Sequence, residues 1–216
     1  MFILNHQNSL ANHFLAELRD VNQQTDRFRF RKNLERLGEI LAYEISKELT
    51  YTSSTIHSPL QKTNADLLVA QPVIIPILRA AVPFFQGFLN YYDRADCGFI
   101  GAYREESVEQ KSGIEIDFGY LAAPDITGKE IILVDPMLAT GKSFVEAFTH
   151  LLEKGKPSKI HVAAIIAAPE GIEYINQHLS IEHKIWIIAL DERLNDKFYI
   201  VPGLGDAGDL AFGPKQ

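Results

Sequence analysis

Ile131-Ile132-Leu133-Val134 is an unbroken aliphatic run with no polar alternation. Such a run suits a strand covered on both faces, as in a parallel sheet held between helices. Asp135-Pro136 ends it at once, because proline lacks the amide donor that a central strand needs. Asp135 is therefore expected at the carboxyl tip of a strand, the end at which open α/β sheets bind ligands.

Met137-Leu138-Ala139-Thr140-Gly141-Lys142-Ser143 follows and leads into Phe144, Phe148 and Leu151, which recur at helical spacing. A strand, a short hydroxyl- and glycine-bearing loop and a helix start leave free backbone amides that favour an anion, assisted by the helix dipole. Gly141 allows close approach, and Thr140 and Ser143 add hydroxyls. The Gly-Lys-Ser triplet is not a P-loop, because Pro136 stands where that motif needs glycine. A strand-tip carboxylate followed by one phosphate cradle suits a ribose 5-phosphate. On this stretch alone, an ordinary hydroxyl-capped turn reads the same.

At 216 residues the chain suffices for one well-buried domain, and residues 1–216 are read as such. The formal net charge of −7 argues against a broad nucleic-acid footprint. Cys97 is the single cysteine, which excludes an intrachain disulfide and a cysteine metal cluster. No apolar run approaches the length of a membrane span, and a cytoplasmic protein is expected.

Along the chain, Leu10, Phe14, Leu15 and Leu18 mark a helix. A longer one follows, capped by Thr25 or Asp26, with Phe30, Leu34, Leu37, Leu41, Ile45 and Leu49 on its apolar face. Tyr51 to Ile56 is β-prone and polar, an edge strand or an extended arm. Buried strands are expected near residues 73, 97, 131, 160 and 184, with helices between most of them, giving a single right-handed α/β domain. Arg79 lies just past the strand at 73, and a guanidinium there suits bidentate phosphate binding. Residues 107–120 lose hydrophobic continuity around Lys111-Ser-Gly113 and suggest a hairpin flap, or an inert surface hairpin. The seven histidines are scattered, which suits surface or packing roles.

The tail Tyr199-Ile-Val-Pro-Gly-Leu-Gly-Asp-Ala-Gly-Asp209 is expected to be neither helix nor regular strand. As a tight loop it presents backbone donors and acceptors to a small planar ligand, with Tyr199 available to cover a ring face. A merely turning C-terminus has the same composition.

The segments Ile77-Leu-Arg-Ala80, Tyr103-Arg104, Val134-Asp-Pro-Met-Leu-Ala-Thr-Gly141, Ala167-Ala-Pro-Glu-Gly-Ile172 and Tyr199 to Asp209 resemble the uracil phosphoribosyltransferase family, in the same order. The likeness runs from about Thr25 to Gly213. It implies a type I phosphoribosyltransferase-like fold: a central, mostly parallel sheet flanked by helices, with a β-hairpin arm and a C-terminal base-binding loop. The implied reaction joins uracil to 5-phosphoribosyl 1-pyrophosphate (PRPP), giving UMP and pyrophosphate, with Mg²⁺ carried by PRPP. By match of motif, Arg79 and Arg104 bind the pyrophosphate end. Asp135, Pro136, Met137, Leu138, Ala139, Thr140, Gly141, Lys142 and Ser143 surround the ribose 5-phosphate. Tyr199, Ile200, Gly205, Asp206 and Ala207 hold uracil, with Asp206 also facing PRPP; Asp206 and Arg104 are the catalytic candidates. Members of the family are homo-oligomers and some respond to GTP.

The chain departs from the family at Ala81 and Lys142, where glycine is usual, and at Leu210, where a basic or polar residue is usual. Two rival readings stand at this stage: a UMP-sensing regulator on the same fold, and an enzyme for orotate or a purine. The neutral, backbone-rich tail disfavours a carboxylated base.

Overall fold

The computed structural model describes residues 1–104 and 116–214, leaving out the side chains of 102–104 and 116–118. The chain opens with β1 (Phe2–Ile3), α1 (Ala11–Arg19) and α2 (Arg27–Ser46), then a hairpin of β2 (Tyr51–His57) and β3 (Lys62–Leu68). The core follows as β4 (Val73–Leu78), α3 (Val82–Leu89), β5 (Phe99–Arg104), β6 (Ile116–Ala122), β7 (Glu130–Val134), β8 (Met137–Leu138) and α4 (Lys142–Leu151). It closes with β9 (Lys159–Ala167), α5 (Pro169–His178), β10 (His183–Leu190), β11 (Arg193–Leu194), β12 (Ile200–Val201) and α6 (Ala207–Phe212).

The main sheet runs β1-β10-β9-β7-β4-β5-β6, with β8 beside the end of β9. All its pairings are parallel except β5 with β6. The expected buried strands are therefore present, and their carboxyl ends share one edge. Alternate residues of β7 enter different cores: Ile132 and Val134 join the layer with α2 and α3, whereas Ile131 and Leu133 join that with α4. A strand buried on both faces has no use for polar alternation, which is why the run was uniformly apolar.

Asp26 caps α2, accepting the Arg29 amide at 3.0 Å, and Phe30, Leu34, Leu37, Leu41 and Ile45 are fully buried beneath it. A Cβ on Gly38 would lie 2.2 Å from the Phe84 carbonyl oxygen, so α2 and α3 cross backbone to backbone. The β-prone segment at Tyr51 is one arm of the separate hairpin β2–β3. The proposed turn at Lys111 to Gly113 lies outside the described residues, although β6 on its far side pairs with β5. Among the described residues no helix is long and apolar enough to cross a membrane.

The tail differs from expectation. Ile200–Val201 pairs with Arg193–Leu194, and Ala207–Phe212 is helical. Glycines at 203 and 205 take positive φ of 66° and 92° and turn the chain between these elements. Once Asp206 caps the helix, the glycine at 208 is tolerated inside it.

Candidate functional site

β4 and β7 are neighbours, yet the helices that follow them, α3 and α4, pack on opposite faces of the sheet. This divergence opens a crevice outside their carboxyl ends, the topological switch point at which doubly wound sheets take ligands. The loop after β4 carries Arg79, and the loop after β7 carries Asp135 to Ser143.

Asp135 accepts the Met137 amide at 3.1 Å through Oδ1, which turns the chain at the strand tip. The Pro136 carbonyl accepts the Ile165 amide at 3.0 Å, and Met137–Leu138 then pairs with Ile166–Ala167. Thr140 Oγ1 faces the Lys142 amide at 3.4 Å. Gly141, at φ 77°, is the N-cap of α4 and offers no side chain to its first amides. The position demands glycine twice over, since a Cβ would also lie 2.6 Å from the Gly171 carbonyl oxygen. Ser143 follows in the first turn, half-buried.

Arg79 is exposed, and a cis peptide joins it to Leu78. Arg104 ends β5 at the same edge of the sheet, and its side chain lies outside the described residues.

The tail converges on the same edge. Asp191, which follows β10, is bound bidentately by Arg19, with Nη1 to Oδ2 at 2.9 Å. Its Oδ2 also accepts the Gly203 amide at 2.9 Å, while Arg19 Nη1 donates to the Gly203 carbonyl at 2.9 Å. This staple fixes the start of the loop. Ile200 is buried, and Tyr199 is 44% exposed with its amide on Asn195 Oδ1. Gly205 and Asp206 are exposed, and Ala207 is buried. Asp206 Oδ1 accepts the Asp209 amide at 2.9 Å.

The loop after β4 and the tail touch: Arg79 Nη2 lies 3.5 Å from Asp209 Oδ1, and a Cβ on Gly208 would lie 3.9 Å from that of Ala80. The predicted phosphate cradle, the Arg79 loop and the tail thus share the carboxyl edge. A cleft of about 560 Å³ near Gln71, Arg94, Lys129 and Ser158 lies at the opposite, amino edge and holds none of the predicted site residues.

The departures from the family pattern have local explanations. Ala81 sits at φ −69° and ψ −19°, ordinary helical backbone, and is fully buried; nothing there requires glycine. Leu210 turns inward against the core near Gly205. Lys142 is met by Glu146 one turn on, whose carboxyl burial pushes up while the Lys142 charge pulls it back.

Sequence reasoning passed over Asp191, Asp209 and Gly171. Asp191 had a visible signal, a carboxylate directly after a buried apolar strand, the same placement as Asp135. Gly171 lies in the Ala167 to Ile172 segment that carries the family resemblance, but its role depends on contact with a loop about thirty residues earlier in the chain.

The family model for uracil phosphoribosyltransferase matches residues 5–214. A uracil phosphoribosyltransferase of Porphyromonas gingivalis is 46% identical over 212 residues, covering 98% of this chain and 97% of the relative. One from Staphylococcus aureus is 41% identical over 208 residues, 95% of each chain. Among solved structures, the AQ2163 protein from Aquifex aeolicus superposes with a TM-score of 0.86 at 33% identity, over 99% of this chain and 98% of that one.

Proposed function

The chain belongs to the uracil phosphoribosyltransferase family, and from that premise we propose how its residues divide the work of joining uracil to PRPP. The alternative of a UMP-sensing regulator is not supported, since relatives matched over nearly the whole length carry the enzyme's name. The observation that carries our assignment of roles is the crevice between β4 and β7, with Arg79 on one lip, Asp135 to Ser143 on the other and the tail beside them.

In this reading the free amides of α4, with Thr140 and Ser143, hold the 5-phosphate, and Asp135 faces the ribose hydroxyls. Arg79 and Arg104 balance the charge that grows on the departing pyrophosphate, an electrostatic stabilisation of the transition state. Ile200, Gly205 and Ala207 offer backbone groups to the uracil edge, and Tyr199 covers a ring face. Asp206 faces N1 of the base and the anomeric carbon. Positioning the base against that carbon is the main catalytic device.

Among the described residues no group of three or more His, Cys, Asp or Glu is placed to hold a metal ion. Separate carboxylates such as Asp135 and Asp206 fit a Mg²⁺ brought on the substrate, because that ion keeps several waters and binds through phosphates and one or two carboxylates. When bound, it neutralises charge on the leaving pyrophosphate. We read residues 1–216 as one domain of a cytoplasmic homo-oligomer.

The decisive assay is incubation with uracil, PRPP and Mg²⁺, followed by detection of UMP. UMP formation with uracil, and little or no product with orotate or hypoxanthine, is the expected result. No product from uracil would overturn the reading.

A further inference from the structure

We propose that Asp209 is a positioning residue for Arg79, holding the guanidinium ready for the pyrophosphate of PRPP from the base-binding side of the site. The proposal rests on the reading of Arg79 as a pyrophosphate ligand.

Asp209 stands in the first turn of α6, with its amide on Asp206 Oδ1 at 2.9 Å. Asp206 supplies that cap alone, so the Asp209 carboxylate is spared for another partner. Its Oδ1 is withdrawn from solvent and has no hydrogen-bond partner, although the side chain as a whole is 39% exposed. The cation it faces is Arg79, whose Nη2 lies 3.5 Å away. The two backbones already meet at Ala80 and Gly208, so neither side chain has to reach far.

A guanidinium carries five donors in a rigid fork. With one Nη turned to a carboxylate, its other N–H groups remain free for phosphate oxygens. A half-exposed arginine loses rotamer freedom when an anion fixes it, and a carboxylate that orients it beforehand removes part of that cost. Asp209 acts on the donor through Arg79 and need not touch it. The capped turn that presents Asp206 to the base also presents Asp209 to Arg79, which ties the two ends of the site to one short helix.

The test is steady-state kinetics with PRPP and uracil varied in turn, for the natural chain, Asp209→Asn, Asp209→Glu, Arg79→Lys and the Asp209→Asn/Arg79→Lys double variant. Asp209→Asn is expected to raise the KM for PRPP about threefold to fivefold, the scale of a partly exposed ion pair. The KM for uracil should move less. Asp209→Glu should restore most of the loss, and the double variant should bind PRPP no worse than Arg79→Lys alone. An unchanged or lowered KM for PRPP in Asp209→Asn overturns the proposal, as do equal rises for both substrates or additive losses in the double variant. If Arg79→Lys raises the KM for PRPP and Asp209→Asn does not, only the role of Asp209 falls. If Arg79→Lys leaves it unaltered, the pyrophosphate reading of Arg79 falls too.

Discussion

Asp206 combines two tasks in one side chain: it caps α6 through the Asp209 amide, and it is our candidate for facing N1 of uracil. Asparagine caps a helix about as well as aspartate. Asp206→Asn therefore keeps the short helix and removes only the charge. Turnover is expected to fall about a hundredfold, the lower reach of effects for a group acting on the transferred proton, while the melting temperature holds. Unchanged turnover would remove Asp206 from the mechanism. Asp191 is the contrasting case, a structural carboxylate that is nearly buried and shared between Arg19 and the Gly203 amide. Asp191→Ala strands a guanidinium that is itself only 22% exposed. Removing one partner of such a pair is expected to cost about 3 kcal/mol, read as a lower urea midpoint, with a KM for uracil that rises more than that for PRPP. The motif residues could be read directly, because a strand-tip carboxylate and a glycine-bearing helix start are local patterns. That Asp209 faces Arg79 could not be, since the pairing spans the chain from the end of β4 to its last helix.

Among the elements, α5 links the two halves of the site. Its leading Ala168 amide donates to the Leu138 carbonyl at 3.0 Å, and Glu170 accepts the Leu194 amide at 3.0 Å. One helix start thus touches both the phosphate cradle and the hairpin β11–β12 that begins the base loop. The closest contact is at Gly171, where a Cβ would lie 2.2 Å from the Ala139 carbonyl oxygen. Backbone on both sides leaves no flexible tip to yield. Gly171→Ala must move residues 139 to 141, at a cost of about 1–3 kcal/mol typical of overpacking. The KM for PRPP should rise with it, and a variant with unaltered melting temperature and KM would show that this contact does not hold the cradle. The core strands and long helices were legible from periodicity alone, since burial on one or both faces dictates the apolar pattern. Short pieces such as β8, β12 and α6 were not. β8 is stabilised by β9, about thirty residues on, and α6 by α2, whose Arg31 Nη1 donates to the Ala211 carbonyl at 2.7 Å, whereas β12 pairs with the nearby β11 and is too short to leave a periodic pattern. Composition therefore read the tail as irregular where it pairs and coils.

Across the whole molecule, the edge opposite the site contains a buried titratable network that the chemistry does not use. Trp186 Nε1 can only donate, and it meets His161 Nδ1 at 3.0 Å. The ring proton therefore sits on Nε2 and points to Glu130 Oε2 at 2.8 Å. Burial pushes the imidazole below its ordinary pKa, with Lys159 adding to the effect and the Glu130 and Glu48 carboxylates opposing it. The sign follows from proton uptake. Below the ordinary histidine value of about 6.5 the unfolded chain takes up a proton that the folded one resists, so stability falls as pH drops from there towards the folded pKa. Above that value the group contributes no slope. Carboxylates act in a lower window: Glu17 is held at about 2 by hydrogen bonds from Arg29 and Asn33, so its contribution persists above the ordinary carboxylate value and is lost as pH falls through about 2. Urea unfolding followed by the fluorescence of Trp186, the sole tryptophan, should therefore show a lower midpoint at pH 5.5 than at pH 7.5, both chosen about one unit either side of the histidine value. His161→Gln should be less stable throughout and flatten that difference. An equal pH slope in both proteins would assign the proton uptake to another group and leave His161 a packing residue without a titration of its own.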